Sequence, residues 1–319
     1  MPEFAAAHYI RPLDSVPKAD FLAGPWGTGT YAGHQYAIPS NTDVGLLYYR
    51  TDLLDAKSVP TKLPPDREYA AQLLDQDSTL RAAYAGQLRD EGLTVNAIEA
   101  IRSADGEVVD DKGNVVIDSP AALDGLRRLA RATKAPSGGR PAELGGTEND
   151  NTAAFISCQV ALMRNWPVQY GKIAGSAREQ KTERPCGDIS RNFAVTELPY
   201  PSVLGGQDLA VAADSTNPRA AQQLIEFLAA PESQKPLFTG GGFAPVRNSV
   251  LDDPEVQRSQ PYAKAMLAAL QNARPRPKTP HYALFSAVFR DVVQYALAHD
   301  GALPDRAVPQ LTDALNGQL

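Results

Sequence analysis

The sequence predicts an α/β protein made of two lobes. The chain has 319 residues, which is long enough for two hydrophobic cores. A polar segment at 39–43 leads directly into an apolar stretch at 44–49, and glycines with polar residues precede a second apolar stretch at 209–212. Helical periodicity follows each stretch along the chain, and such alternation is typical of α/β folds.

The first strand is predicted over 44–49, where aromatic and large apolar residues follow one another. Pro39 disfavours helix for its neighbours, so Asn41 and Asp43 lie on extended chain entering this strand. An amide beside a carboxylate supplies donors and acceptors at fixed places, which is what sugar hydroxyl groups require. The alternative is an Asx-turn that caps the strand.

Helices with a hairpin between them are predicted next. After a proline-rich linker at 60–65, apolar residues at helical spacing predict a helix over 67–91 and a further turn or two over 94–102. Residues 105–117 predict two short strands around an Asp-Lys-Gly-Asn turn. Ser119 is predicted to cap the following helix, because proline occupies its first position.

The middle of the chain predicts a helix beginning at 151–155 and then an apolar stretch at 160–163 that ends in Arg-Asn-Trp-Pro. Asn165 and Trp166 therefore leave the end of a strand together. A Trp ring is costly to expose and its flat face suits the apolar side of a pyranose ring, so Trp166 is a candidate binding platform. Packing of this ring in the core is the alternative.

The second half predicts a strand over 209–212, preceded by Gly205 and Gly206, which let backbone approach a ligand or another segment closely. A helix over 219–229 follows, and later helices are interrupted by a proline-rich segment at 274–282. The residues predicted to face inward from the helix at 219–229 are Leu224, Ile225 and Leu228.

Composition argues against several kinds of function. The net charge is −6 and the basic residues are dispersed, which argues against a surface for nucleic acid. No apolar run reaches the roughly 20 residues of a membrane span. The four histidines show none of the spacings of a zinc or iron site, so neither a metal nor a cofactor is expected.

Two residue pairs leave alternatives open. Cys158 and Cys186 are the two cysteines of the chain, and they form either a disulfide in an oxidising compartment or two buried thiols. Asp43 and Glu148 are the two carboxylates that a glycoside hydrolase would need, and their separation would decide its stereochemistry. Carboxylates also accept hydrogen bonds in sugar pockets, and a non-enzymatic role is expected.

The order and spacing of four segments are specific as a set: 3–13, 36–54, 160–167 and 204–228. Together they resemble the family 1 extracellular solute-binding proteins of ABC importers, of the maltose- and trehalose-binding type. The resemblance covers nearly all of the chain, and the Arg-Asn-Trp-Pro form is most similar to actinobacterial trehalose-type members.

The resemblance implies a two-lobe, type II periplasmic-binding-protein fold, in which hinge strands join the lobes and the solute lies between them. We expect an incomplete N-terminal lobe of residues 1–43 and 206–249, and a C-terminal lobe of residues 44–205 and 250–319 with a helical C-terminal region. The ligand contacts of the family map onto Asn41, Asp43, Glu148, Asn165, Trp166, Gly206, Gln207, Arg276 and Tyr282.

The function that this resemblance implies is capture of a neutral sugar, a disaccharide such as trehalose or maltose, and its delivery to ABC permease subunits. We expect a monomer at the extracellular face of the membrane, lipid-anchored or secreted, without a nucleic-acid partner. Relatives place a signal peptide, commonly of the lipoprotein type, and a strand, helix and strand before the segment at 3–13. The chain is therefore expected to be a fragment, a sequence with its start assigned at an internal Met, or a non-binding remnant.

Overall fold

The computed structural model describes residues 1–134, 146–176 and 186–318. The strands in these residues are β1 (Thr30–Tyr31), β2 (His34–Gln35), β3 (Ala37–Val44), β4 (Leu46–Arg50), β5 (Ala82–Ala85), β6 (Val160–Asn165), β7 (Phe193–Glu197) and β8 (Leu204–Ala210). The helices are α1 (Pro2–Ala6), α2 (Ala23–Thr28), α3 (Arg67–Gln76), α4 (Asp90–Arg102), α5 (Pro120–Thr133), α6 (Glu148–Ile156), α7 (Gln169–Gly175), α8 (Pro218–Leu228), α9 (Pro231–Gly241), α10 (Asn248–Leu251), α11 (Pro254–Ser259), α12 (Ala263–Asn272), α13 (Tyr282–Ala298) and α14 (Ala307–Leu315).

Two sheets organise the described part of the chain, beside the small hairpin of β1 and β2. The smaller sheet is the antiparallel pair of β3 and β8. The larger sheet has the order β5-β6-β4-β7, in which β5 and β6 are parallel and the other pairs are antiparallel. The chain passes from the smaller to the larger sheet between β3 and β4, and it returns between β7 and β8. Helices pack on both sheets, so the predicted α/β class is confirmed.

Gly45 separates β3 from β4. The sequence predicts one strand over 44–49, whereas the structure has two strands in different sheets. The backbone N–H of Gly45 donates to Ser202 Oγ at 2.7 Å. A Cβ on Gly45 would lie 2.7 Å from Ser202 Oγ and 2.7 Å from Arg164 Nη2, so any larger residue at the crossing point would displace these two side chains.

The helix predicted over 67–91 is wrong as a single element. Helix α3 ends at Gln76, and Asp77 then forms a turn in which its carboxylate accepts from the backbone N–H of Thr79 at 2.9 Å. The following Ala-Ala-Tyr-Ala stretch is strand β5, which pairs with β6 and is largely buried. Periodicity cannot separate a short buried strand from a helix, because both are continuously apolar.

The elements around α5 follow the prediction closely. The Ser119 side chain accepts from the backbone N–H of Ala122 and caps α5, which has proline in its first turn. The hairpin predicted over 105–117 is reduced to a single bridge between Val109 and Val115 around the predicted turn. The Asp110 side chain accepts from the backbone N–H groups within this turn, which accounts for its polar sequence.

Helix α8 faces inward through fewer residues than predicted. Ile225 is buried and Leu228 is half-buried, but Leu224 is 57% exposed. The helix packs on the two-stranded sheet of β3 and β8, so it has only a narrow buried stripe. The small core there contains Phe21, Ile38, Val211, Ile225, Ala229 and Val246.

Three larger groups of buried side chains lie outside this small core. One surrounds the larger sheet and includes Tyr48, Phe155 and Met163. A second joins α4, α5, α13 and α14, with Phe285 and Phe289 fully buried. The third packs α3 on the larger sheet through residues that include Leu73. The candidate site described below therefore lies where the two-stranded sheet, with its small core, meets the part of the molecule that holds the larger cores.

Gly125 allows α4 and α5 to approach closely, because a Cβ there would lie 2.5 Å from Ala100 O and from Ile101 Cα. Replacing Gly125 by Ala is expected to lower the free energy of unfolding by about 1–3 kcal/mol, since crowding against backbone outweighs the gain in helix propensity. The control is Gly171→Ala in α7, where nothing lies within 4 Å of the added Cβ. Urea denaturation of both variants tests this, and an unchanged midpoint for Gly125→Ala would contradict the close helix contact.

Candidate functional site

Strands β3 and β8 place four of the predicted site residues side by side. In their register Asn41 lies opposite Gln207, and Asp43 lies opposite Gly205. Asn41 and Asp43 are two residues apart and so lie on the same face of β3. The Asn41 amide Nδ2 approaches Asp43 Oδ2 to 3.5 Å, and both side chains are partly buried.

Gly206 fixes how closely the two strands approach. Its φ is +111°, a value that side-chain-bearing residues rarely adopt. A Cβ on Gly206 would lie 2.6 Å from Thr42 Cα in the neighbouring strand. The glycine predicted to allow close approach does so towards the protein's own backbone, beside Asn41 and Asp43.

The Trp166 ring lies against this edge of β8, far from Asp43 in the sequence. A Cβ on Gly205 would be 3.1 Å from Asp43 Cβ and 3.3 Å from Trp166 Cζ3. The carboxylate, the aromatic ring and the exposed strand backbone therefore meet at one place. Trp166 is partly exposed, so part of its surface remains accessible.

Residues from α6 and β6 hold the Trp166 ring. The indole Nε1 donates to Glu148 Oε1 at 3.3 Å, at the N-terminal end of α6. Asn165 is fully buried, and its Oδ1 accepts from the backbone N–H of Trp166 at 2.9 Å. Asn165 Nδ2 donates to the backbone oxygen of Glu148 at 3.0 Å and to Thr152 Oγ1 at 3.2 Å. In this arrangement Asn165 supports the ring from behind, and its contact with ligand stays a prediction.

Arg164 lies under the same ring. Its guanidinium carbon is 3.8 Å from the centroid of the Trp166 ring, a cation–π contact inside the protein. Arg164 is fully buried and pairs with Glu99, with Arg164 Nε at 2.7 Å from Glu99 Oε2. Neither Glu99 nor Arg164 was assigned a role from sequence, although an arginine in the otherwise apolar strand β6 was a usable signal.

The Asp43 carboxyl sits in an environment that disfavours its charge. Burial raises the pKa of Asp43 to about 7, and the positive charge of Arg164 acts in the opposite direction. Such a group accepts a hydrogen bond from a ligand hydroxyl readily, because few protein donors satisfy it.

Tyrosines that the sequence did not single out lie near Asp43. Burial raises the pKa of Tyr262, and Tyr170 and the Asp43 carboxylate add to this effect. The rings of Tyr170 and Tyr262 stack with centroids 4.3 Å apart. The Tyr48 hydroxyl donates to the backbone oxygen of Trp166 at 2.8 Å and so connects this aromatic group to the platform.

Arg276 and Tyr282 form a separate group around Glu91. Arg276 Nη1 is 2.8 Å from Glu91 Oε1, and the Tyr282 hydroxyl also donates to this oxygen. Ser286 Oγ donates to the other oxygen of Glu91 at 2.6 Å. Glu91 gave no signal in the sequence beyond that of an acidic residue in the first turn of a helix.

A cavity of about 670 Å³ lies elsewhere, lined by residues 197–202, 269 and 271–274. It contains none of the predicted site residues. Among residues 1–134, 146–176 and 186–318 no group of three His, Cys, Asp or Glu side chains is arranged to hold a metal. In the same ranges no helix has the length and apolar character needed to cross a bilayer.

Comparisons with known proteins identify a family and relatives for this chain. The sequence profile of a family described as bacterial extracellular solute-binding protein matches residues 1–264. A probable ABC transporter-binding protein of Deinococcus radiodurans is 28% identical over 295 residues, covering 87% of this chain and 68% of the relative. The maltotriose-binding protein of Pyrococcus abyssi is 24% identical over 302 residues, covering 87% of this chain and 59% of the relative.

Solved structures match nearly the whole chain. The maltose-bound MalE3 protein of T. maritima superposes with a TM-score of 0.82 at 27% identity, covering 100% of this chain and 82% of the other. The GacH receptor of Streptomyces glaucescens gives a TM-score of 0.78 at 22% identity, covering 100% and 81%. These matches confirm the predicted two-lobe α/β fold. The chain spans between 52% and 68% of the length of the four curated relatives compared.

Proposed function

Because this chain belongs to the family of bacterial extracellular solute-binding proteins, we propose that it binds a neutral sugar between its two lobes and delivers it to ABC permease subunits. The ligand is a disaccharide such as maltose or trehalose. Support for a sugar comes from relatives described as maltotriose- and galactooligosaccharide-binding proteins and from the maltose-bound structural relative. The protein acts as a monomer at the outer face of the membrane, lipid-anchored or secreted.

The observation that carries this proposal is the meeting of Asp43, Trp166 and Gly205. The Gly205 backbone is close enough that an added Cβ would lie 3.1 Å from Asp43 Cβ and 3.3 Å from Trp166 Cζ3. A carboxylate and an amide accept and donate hydrogen bonds to hydroxyl groups, and an indole ring packs on the apolar face of a pyranose. These complementary groups within one short distance suit a sugar better than an ion or a peptide.

The two lobes supply different parts of this site. We propose lobes of residues 1–43 with 206–249 and of residues 44–205 with 250–319. The first then contributes Asn41, Asp43, Gly206 and Gln207, and the second contributes Glu148 and Trp166. A sugar that touches both lobes binds the closed arrangement better than the open one, which drives closure.

Arg276 and Tyr282 are proposed as further contacts. Both bond to Glu91, so a sugar hydroxyl reaching them would join an existing hydrogen-bonded group. Such a group is oriented in advance, which reduces the entropy lost on binding.

Replacing Asp43 by Ala is expected to weaken sugar binding by about 1–3 kcal/mol, because a buried ligand hydroxyl loses its acceptor. Thermal melts with maltose, trehalose and other sugars first identify the ligand by the rise in melting temperature. Calorimetric titration then compares wild type, Asp43→Ala and the exposed control Asp214→Ala. Unchanged affinity in Asp43→Ala would remove Asp43 from the site, and no sugar response in wild type would overturn the proposed ligand class.

One observation favours a second function, glycoside hydrolysis with Asp43 and Glu148. A carboxyl whose pKa is raised to about 7 is still partly protonated at neutral pH, and a general acid must be protonated to act. Membership of a solute-binding family argues against it. Turnover of aryl glycosides by wild type, lost in Glu148→Gln, would establish hydrolysis, and stable binding without product would reject it.

A further inference from the structure

Glu99 is a carboxylate buried at the junction of the two sheets. It lies on α4, is 2% exposed and accepts four hydrogen bonds. Arg164 donates from Nε at 2.7 Å and from Nη2 at 2.8 Å. Ser202 Oγ donates at 2.8 Å, and the backbone N–H of Val203 donates at 3.0 Å. These donors compensate the buried negative charge, so loss of any one of them disturbs the others.

Through these bonds Glu99 holds two of the segments that pass between the sheets. Ser202 and Val203 lead into β8, and both bond to Glu99 directly. Gly45, between β3 and β4, donates its backbone N–H to Ser202 Oγ at 2.7 Å. The two crossing segments are therefore tied to each other and to α4.

Arg102 on the same helix holds a third segment. Its guanidinium donates to the backbone oxygens of Ser202 at 3.4 Å, Arg274 at 3.2 Å and Pro275 at 3.1 Å. Val203 and Arg274 form a parallel bridge, so the segment around Arg274 runs beside the second crossing. The last turns of α4 thus contact the second crossing and the segment around Arg274 directly, and they reach Gly45 through Ser202.

The partner of Glu99 also faces the candidate site. Arg164 packs 3.8 Å below the centroid of the Trp166 ring, and its charge acts on the Asp43 carboxyl. Buried ion pairs are seldom better for stability than apolar packing of the same volume. The pair lies between the Trp166 ring and the second crossing, where it contacts both.

We infer that Glu99 and Arg164 are positioning residues that set the orientation of the Trp166 ring and the arrangement of the crossing segments together. A change in the arrangement of the crossing segments then alters the orientation of the Trp166 ring, and a change in that orientation alters the arrangement of the segments. The sugar as the ligand of the ring rests on the proposed function, whereas the coupling exists in the ligand-free protein.

The deciding experiment uses Ser202→Ala and Glu99→Gln in a Trp26→Phe background, which leaves Trp166 as the sole tryptophan. Hydrogen exchange at the Gly45 and Val203 amides reports on the crossings. Acrylamide quenching and the emission maximum of Trp166 report on the ring, both without sugar. We expect faster exchange and altered Trp166 quenching in both variants, and sugar affinity lower by about tenfold in Glu99→Gln.

Ser202→Ala is the decisive variant, because it removes the bonds to Glu99 and Gly45 and changes neither side chain of the Arg164–Glu99 pair. This variant also tests the inference if Glu99→Gln does not fold. Altered Trp166 quenching in Ser202→Ala supports the inference, and faster exchange with unaltered quenching overturns it. If wild type binds no sugar while Ser202→Ala still alters Trp166 quenching, the proposal of a sugar ligand is wrong and the coupling between the crossings and the ring is supported.

A matched control separates coupling from general loss of stability. Arg50 is also buried, at 1% exposure, and pairs with Asp77 at 2.9 Å. Asp77→Asn weakens that pair. Arg50 also bonds to Asp52 and to the backbone oxygen of Cys158, and neither residue lies in a crossing segment. We expect it to leave Trp166 quenching unchanged, and an effect as large as that of Ser202→Ala would overturn the inference.

Discussion

Replacing both Cys158 and Cys186 by alanine is expected to lower the free energy of unfolding by about 3 kcal/mol. The two residues form a disulfide between segments 28 positions apart, with their Cα atoms 5.9 Å from each other. In the chain-entropy view, closing a loop of this length restricts the unfolded chain and so favours the folded one. Of the two alternatives left open by the sequence, the structure thus has the disulfide.

The position of the disulfide explains why its loss affects the larger sheet. Cys158 precedes β6 and Cys186 precedes β7, and both strands pair with β4. Arg50 at the end of β4 donates to the backbone oxygen of Cys158 at 3.3 Å, and Asn192 donates to that of Cys186 at 3.1 Å. The bond therefore ties together one end of three neighbouring strands.

Guanidinium denaturation of the double variant, oxidised wild type and reduced wild type measures the effect. Reduced wild type is the control, because it keeps both side chains and lacks only the covalent bond. Its denaturation midpoint is expected to lie close to that of the double variant and well below that of the oxidised protein. Equal midpoints for oxidised and reduced wild type would show that the bond contributes nothing to stability.

The candidate site residues Asn41, Asp43 and Trp166 could be picked out from the sequence because their signals are local, and their contact with a ligand stays a prediction. Asn41 and Asp43 lie in β3 and Trp166 follows β6, and a short-range pattern in the sequence identifies both the extended segment and its polar or aromatic residues. The break at Gly45 was not predictable, because the apolar stretch 44–49 looks continuous. It is set by Ser202 and Arg164, which lie more than a hundred residues away in the sequence.

Glu99 and Glu91 could not be recognised from the sequence for a related reason. Glu99 occurs in a helix with mixed polar and apolar residues, where a glutamate is ordinarily a solvated residue. Its burial follows from contacts with Arg164 and Val203, which no local pattern contains. Glu91 is likewise recognisable only once α13 brings Tyr282 and Ser286 beside it.

Replacing Asp43 by Asn is expected to stabilise the ligand-free protein at pH 8 and to have little effect near pH 4. Burial raises the pKa of Asp43 to about 7 in the folded protein, whereas an unfolded aspartate titrates near about 3.9. Below pH 4 the carboxyl is protonated in both states. Between these values the folded protein holds a proton that the unfolded chain has released, so stability falls as pH rises through about 7.

The pKa of Asp43 differs by about three units between the folded and unfolded states, which corresponds to an upper bound of about 4 kcal/mol. We therefore expect the free energies of unfolding of Asp43→Asn and wild type to differ by about 2–4 kcal/mol at pH 8. Urea denaturation of wild type and Asp43→Asn from pH 4 to pH 8.5 measures it. Asp110→Asn is a control of opposite sign, because hydrogen bonds from Asn114 lower the pKa of Asp110 and its contribution is lost as pH falls. If the free energy of unfolding changed with pH in the same way in wild type and in Asp43→Asn, this would contradict the raised pKa of Asp43.

The same substitution connects stability with binding. A carboxylate that is poorly solvated in the empty site destabilises the protein at neutral pH, and a ligand hydroxyl that donates to it relieves this penalty. Asp43→Asn is therefore expected to melt at a higher temperature than wild type without sugar and to gain less from adding it. If the variant gained as much from sugar as wild type, the carboxylate would have no part in holding the ligand, and its unfavourable burial would have no functional explanation.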